Sequence, residues 1–289
     1  MPTMQNNENQ WHDWIGKSES NAAIITSFPM EALAATLDKS VASYSTGASL
    51  PPLWHWLYFL ETSPQSQLAA DGHAKRGNFL PPVSLPRRMW AGSRVEFLDK
   101  LRAGDTATRV STIKSITSKL GRSGALVFVS LTHQISTARG IAIQEQQDIV
   151  YREAATTDVS NSQAQPAPAS SCYSKTIKPD SIFLFRYSAL TFNGHRIHYD
   201  REFARDQEGY PGLVVHGPLL ATLMIDLLLD THPTCSIKTF EFRAMLPLFD
   251  LHPFTVCGDE PDADGNVKLW VQNHAGALCM QGSARVMEN

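Results

Sequence analysis

One order of elements occurs twice along the chain, and that repeat constrains the fold more than any single motif. In the C-terminal half an apolar segment over residues 218–229 opens on Pro218, a residue that the first turn of a helix tolerates. Four β-rich runs follow, at 237–243, 254–258, 267–273 and 278–286, with turn residues at 262–265 and at Gly276 between them. In the N-terminal half a short helix around 30–37 and the run 53–60 precede four further β-rich runs: 94–98, 106–117, 125–134 and 141–151. The run 53–60 (LWHWLYFL) is apolar nearly all round, which predicts a buried helix at the centre of the N-terminal sheet. Residues 182–186 predict a strand that opens the second unit. An apolar helix followed by an antiparallel meander predicts an α+β unit whose sheet wraps the helix, here in duplicate. Between the units, residues 154–180 are rich in Ala, Ser, Gln and Pro, lack periodicity and read as a surface linker. The expected division is 1–153, linker 154–180 and 181–289.

Composition bounds the function classes. A chain of 289 residues with 43% apolar and 18% charged residues can bury a large core, and at about 150 residues per domain it holds about two domains. Lys and Arg number 25 against 28 Asp and Glu, so no net basic field draws in nucleic acid or an anionic membrane. The four cysteines (172, 235, 257, 279) are too scattered for zinc or a disulfide framework and read as reduced thiols of a cytoplasmic protein. The polar start MPTMQNNENQWHDW predicts no secretory signal. The helix after Pro218 would be about 18 Å long at 1.5 Å per residue, short of the roughly 30 Å of a bilayer core.

Two stretches carry chemistry. The first holds Asn193, His195, Arg196 and His198 within six positions of a Gly-containing turn. The second, Val214-Val-His-Gly-Pro-Leu-Leu-Ala-Thr222, runs into the apolar helix. A helix N-terminus offers N–H groups without intrahelical acceptors and a partial positive charge, so it can steady an oxyanion. Pro218 has no N–H, which leaves Gly217 and Leu219 as donors. Spacing alone fits equally a plain turn entering a buried helix. His195 and His198 flank a cation and lack an adjacent carboxylate set, so no metal is expected there.

Together the stretches resemble the MaoC-like double hot-dog hydratases, whose signature is Asp-x-Asn-Pro-Leu-His followed further on by His-Gly-Met and a helix carrying Ser. Asn193-Gly-His-Arg-Ile-His198 stands in register with the first element, and His216-Gly-Pro218 through Thr222 with the second. The wording Thr-Phe-Asn-x-His-Arg-Ile-His-Tyr-Asp is closest to one branch: type 2 3-hydroxyacyl-thioester dehydratases with mesaconyl-C(4)-CoA and itaconyl-CoA hydratases. Phe242-Arg-Ala244, Pro247-Leu248, the LPRRMW stretch ending at Trp90 and Gly121-Arg-Ser-Gly124 fit that branch too.

The resemblance implies a double hot-dog fold of two antiparallel sheets, each around a central helix, with an acyl-CoA between them. It implies hydration or dehydration of an α,β-unsaturated thioester, with His198 as base and proton donor and the N–H of Gly217 on the thioester oxygen. The family's Asp is Asn193 here, an amide that can orient water but not deprotonate it. A dicarboxylic acyl group would need a cation, with Arg196 and Arg243 as the candidates, and a solvated or structural cation as the alternative for each. His216, Leu219 and Thr222 are the other candidate substrate contacts, although Thr222 could equally bond its own helix carbonyl. Arg87, Arg88, Lys119 and Arg122 are candidates for the CoA phosphates. No organic cofactor is implied beyond the CoA of the substrate, and a homo-oligomer is compatible with the fold. Rival readings are a dehydratase of fatty acid synthesis and a non-catalytic acyl-thioester binding subunit.

Overall fold

The computed structural model describes residues 7–40, 44–121, 124–153 and 164–288. All eight expected β-rich runs are strands. They are β2 (Arg87–Phe97), β3 (Thr106–Gly121), β4 (Gly124–Thr137), β5 (Gly140–Arg152), β7 (Cys235–Ala244), β8 (Phe254–Gly258), β9 (Asn266–Gln272) and β10 (Leu278–Glu288). Two strands were not anticipated, β1 (Ser18–Ile24) and β6 (Tyr173–Ile177). Strand β6, inside the stretch expected to be linker, pairs with β8 through Tyr173–Gly258 to Ile177–Phe254. Residues 154–163 of that stretch lie outside the described residues.

The strands form one ten-stranded sheet in the order β1-β3-β4-β5-β2-β7-β10-β9-β8-β6, so the two halves are joined edge to edge. The seam is the antiparallel pairing of β2 with β7, from Gly92–Arg243 to Glu96–Thr239. Gly92 is required there, because a Cβ at that position would lie 2.3 Å from the Phe242 carbonyl oxygen.

Helix α3 (Gly217–Thr231) is the apolar helix expected at 218–229, with Pro in its first turn, and it packs against β7 to β10. Every residue from Leu219 to Leu228 is buried, as suits a helix wrapped by a sheet. Helix α1 (Ser27–Thr36) matches the short helix expected near 30–37.

Two expectations fail. Residues 182–186 belong to helix α2 (Ser181–Leu190), capped by the Asp180 side chain, which accepts a hydrogen bond from the Phe183 N–H at 2.8 Å. Its buried residues are Leu184, Tyr187 and Ser188, a helical spacing of which residues 182–186 hold only the first member. The run 53–60 is not a central helix but one 3₁₀ turn, Trp54–Leu57. Leu53 (φ 70°) is left-handed and bounds it on one side, and the extended Tyr58 ends it on the other. Its rings are buried on different sides, which is why it looked apolar all round. Trp56 stands edge-on to Trp90 (5.0 Å) and Phe242 (6.1 Å) at the seam between the halves. Among the described residues no helix is long and apolar enough to cross a membrane.

Because α3 supplies the centre of the core, Leu228→Ala, at a fully buried position, should lower the unfolding free energy by about 2–5 kcal/mol. Urea denaturation followed by tryptophan fluorescence checks this; an unchanged midpoint would contradict the packing.

Candidate active site

After α2 the chain turns sharply. Phe192 is left-handed (φ 49°), and the Asn193 Oδ1 accepts from the His195 N–H at 3.0 Å. This side-chain turn leads into a 3₁₀ turn, Arg196–His198, which presents the His198 ring. The His198 Nδ1 donates to the Val214 carbonyl at 2.7 Å, which fixes the tautomer and leaves Nε2 as the unprotonated nitrogen. One face of the ring is stacked on His216 at 3.7 Å, with the planes 18° apart. His216 is the N-cap of α3, and its Nε2 meets the Ser188 hydroxyl at 2.8 Å. Thus α2, the 193–198 turn and the start of α3 hold the two rings from three sides.

Burial pulls the His198 pKa down to about 4, against the Val214 carbonyl, which favours the protonated ring. Burial, reinforced by His198 and His195, also holds His216 well below the ordinary imidazole value. Both imidazoles are therefore neutral at pH 7, the state a base needs.

His198, His216, Asn193 and Gly217 line one cavity of about 760 Å³ formed from both halves. Gly217 opens α3, so its N–H has no intrahelical acceptor. The N-terminal half supplies Trp56, His73, Arg88, Met89, Trp90 and Glu145 among other wall residues. Glu145 is buried and accepts from Ser93 (2.8 Å), Trp56 (3.1 Å) and His55 (3.2 Å). Burial pushes its pKa up, but the bond and charge of His55 outweigh this and hold it at about 2. A carboxylate so saturated holds the wall in shape.

The candidates from sequence separate cleanly. His198, His216, Asn193 and Gly217 come together. Asn193 spends its carbonyl oxygen on the turn, which leaves its amide N–H groups for the cavity. Arg196 is not free: its Nε and Nη2 bind Asp200 (3.0 and 2.7 Å), and its Nη1 donates to the Ala70 carbonyl. Arg243 is exposed and off the cavity, because the alternation along β7 turns Phe242 inward. Thr222 donates to the Pro218 carbonyl of its own helix at 2.9 Å, and Leu219 is wholly buried; neither lines the cavity. Arg87 is tied to Glu208 at 3.0 Å and lies over Tyr210. Lys119 is exposed over Phe128, away from the cavity. Arg122 lies outside the described residues. Of the five candidate cations that are described, Arg88 alone faces the cavity, and among the described residues it has no carboxylate within ion-pair distance.

Sequence reasoning missed Asp71, His73, Ser188 and Glu145. Asp71-Gly-His73 sits in a polar loop with no periodic signal. Asp71, His73 and His195 place one ligand atom each within 4.8 Å of one another, close enough for a cation. The Asp71 Oδ2 is already bonded to the His73 Nδ1 at 3.0 Å, and the Arg88 charge acts on the same ring. A hydrogen-bonded group fits these contacts better than a metal centre.

The sequence profile described as hydroxyacyl-thioester dehydratase type 2 matches residues 53–250. The mesaconyl-C(4)-CoA hydratase of Chloroflexus aurantiacus is 45% identical over 276 residues, 96% of this chain and 98% of that one. The mitochondrial hydroxyacyl-thioester dehydratase type 2 of Schizosaccharomyces pombe is 30% identical over 251 residues, 77% of this chain and 80% of that one. A solved MaoC-like dehydratase from Phytophthora capsici superposes with a TM-score of 0.69 at 15% identity, covering 95% of this chain and 97% of that one. The architecture is the double hot-dog of MaoC-like dehydratases. Within that class the chain belongs to the hydroxyacyl-thioester dehydratase type 2 family of hydro-lyases.

The depressed His198 pKa has two consequences with one sign. Unfolded, the imidazole takes a proton near 6.5; folded, it resists down to about 4, so stability falls as pH drops from about 6.5 toward 4. Urea midpoints at pH 7.5, 6.0 and 5.0 should decline in that order, whereas a flat series would contradict a buried neutral ring. The acid limb of kcat/KM should lie well below 6.5.

Proposed function

We propose that this protein hydrates the C=C bond of an unsaturated dicarboxylic acyl-CoA, the α,β-unsaturated mesaconyl-C(4)-CoA or its isomer itaconyl-CoA, giving citramalyl-CoA. The observation that carries the chemistry is the His198 Nδ1–Val214 bond, which leaves Nε2 as a base in the cavity where α3 begins. The substrate class is supported by the nearly full-length likeness to a mesaconyl-C(4)-CoA hydratase.

In this reading the acyl group lies between the halves with its thioester oxygen on the Gly217 N–H. Nε2 of His198 takes a proton from water as the oxygen bonds to the β-carbon. The π electrons move toward the thioester, and the enolate-like oxygen is steadied by the helix N-terminus. The imidazolium then returns its proton to the α-carbon, so nothing but substrate and water is consumed. Asn193 keeps the turn rigid. The free carboxylate is assigned to Arg88, a cation that lines the cavity from the N-terminal half, in place of Arg196 and Arg243. No cofactor is needed beyond the CoA of the substrate. All four cysteines are unpaired, which suits the cytoplasm.

Loss of enoyl-thioester absorbance with mesaconyl-C(4)-, itaconyl- and crotonyl-CoA tests the assignment. Turnover confined to the carboxylated pair supports it, whereas preference for crotonyl-CoA makes the protein a fatty-acyl dehydratase. Binding without turnover makes it an acyl-thioester carrier. His198→Ala should lower kcat by about a hundredfold or more. Arg88→Met should raise KM for the dicarboxylic substrates while sparing crotonyl-CoA; equal effects on both would remove Arg88 from the carboxylate.

A further inference from the structure

The loop that carries Asp71-Gly-His73 belongs to the N-terminal half, yet it is docked on the catalytic turn at backbone distance. The Arg196 N–H donates to the Asp71 carbonyl at 2.9 Å, and the Arg196 Nη1 to the Ala70 carbonyl at 3.1 Å. Gly72 (φ 89°) lies so close to Gly194 that a Cβ on it would stand 1.8 Å from the Gly194 carbonyl oxygen. A Cβ on Gly194 would lie 2.8 Å from the Gly72 oxygen. Two glycines facing one another leave no room for slippage, and the contact delivers Asp71 and His73 to one place.

That place is the imidazole array. The Asp71 carboxylate grips His73 twice, accepting from its N–H and from its Nδ1, each at 3.0 Å. The His73 ring lies 4.0 Å from that of His195, tilted by 40°. His195 meets His198 edge-on at 5.5 Å. Both His73 and His195 line the cavity. The nearest carboxylate on the turn itself, Asp200, is spent on Arg196 and the Phe203 N–H. Asp71 is therefore the carboxylate that faces these rings.

We propose that Asp71 and His73 are positioning residues of the hydration centre: the carboxylate orients His73, and His73 fixes His195 as a second cavity-facing imidazole beside His198. Two hydrogen bonds of about 2.8 Å at a water's roughly tetrahedral angle span about 4.6 Å, and with the ring centroids 5.5 Å apart one water can touch both His195 and His198. In the step given above, the water's reacting proton goes to Nε2 of His198 and returns to the α-carbon. His195 accepts a hydrogen bond from the other O–H, which stays on the product hydroxyl, and gains no proton. The N-terminal half thus contributes to the chemistry as well as to the substrate wall. This inference rests on the hydration reading for its role in rate, but the docking of the pair stands apart from it.

The groups facing His73 are Asp71, His195, Arg88, Arg76 and His198. Of these the carboxylate alone favours a protonated ring. Asp71→Asn should consequently lower kcat at least tenfold with KM within threefold, and move the acid limb of the pH profile to lower pH. His73→Gln should lower kcat alike but leave the acid limb where it is or raise it, because the His73 charge depresses the His198 pKa. The double variant should turn over no more slowly than the more impaired single one, and Asp71→Glu should recover part of the rate. A folded Asp71→Asn enzyme with kcat within twofold of wild type and an unshifted profile overturns the proposal. So does activity that a chelator removes and zinc restores, because the three residues would then be metal ligands. If the wild-type protein turns over none of the thioesters, the hydration reading falls by itself. Nitrogen-15 spectra of the histidine rings still decide the pairing: His73→Gln should shift the His195 ring signals, and unchanged signals overturn it.

Discussion

The pairing of β2 with β7 closes two sheet edges that would otherwise face solvent, and it sets the distance between the halves to that of two hydrogen-bonded strands. Gly92 permits that spacing. From it follows the position of the Trp90 carbonyl, 3.9 Å from where a Cβ on Gly217 would sit, so the N-terminal wall stands over the start of α3. Arg88, two residues earlier on β2, lines the same cavity. A shift of the seam by one residue would turn Arg88 and Trp90 to the other face of the sheet. The cavity belongs to the seam more than to either half.

Within it, burial decides the protonation state of the chemistry. His73, His195, His198 and His216 are all held below the ordinary imidazole pKa, chiefly by desolvation. Packing neutral rings against one another avoids the repulsion that charged ones would feel, and each keeps a nitrogen able to accept a proton. Two of the hydrogen bonds that fix these rings differ in kind. The Val214 carbonyl orients His198 with no net charge, whereas Asp71 brings a negative charge to the edge of the array.

Legibility in the sequence followed the range of the interactions. Strands with alternating burial, such as β4, are legible because the pattern is local. Helix α2 reads as a strand because residues 182–186, four of them apolar, hold only one of its buried positions, Leu184, and the helix signal lies in the capping Asp180. The aromatic run at 54–59 suggested a helix because its rings pack in several directions, a property of their surroundings and not of their spacing. Arg196 and Arg243 looked like clamps for an anion because a one-dimensional reading shows a cation near a catalytic motif. It cannot show that Asp200 already occupies one and that the pleat turns the other outward.

The sequence by itself determined the α+β repeat, the apolar helix opening on Pro218, and the two motifs that hold His198, His216 and Gly217, because periodicity and motif spacing act over a few residues. Tertiary structure alone decided which of the candidate cations faces the cavity, which nitrogen of His198 is free, and that Asp71 and His73 arrive from the other half. Those outcomes depend on strand edges and a glycine contact between segments more than a hundred residues apart, and no local pattern records where such segments meet.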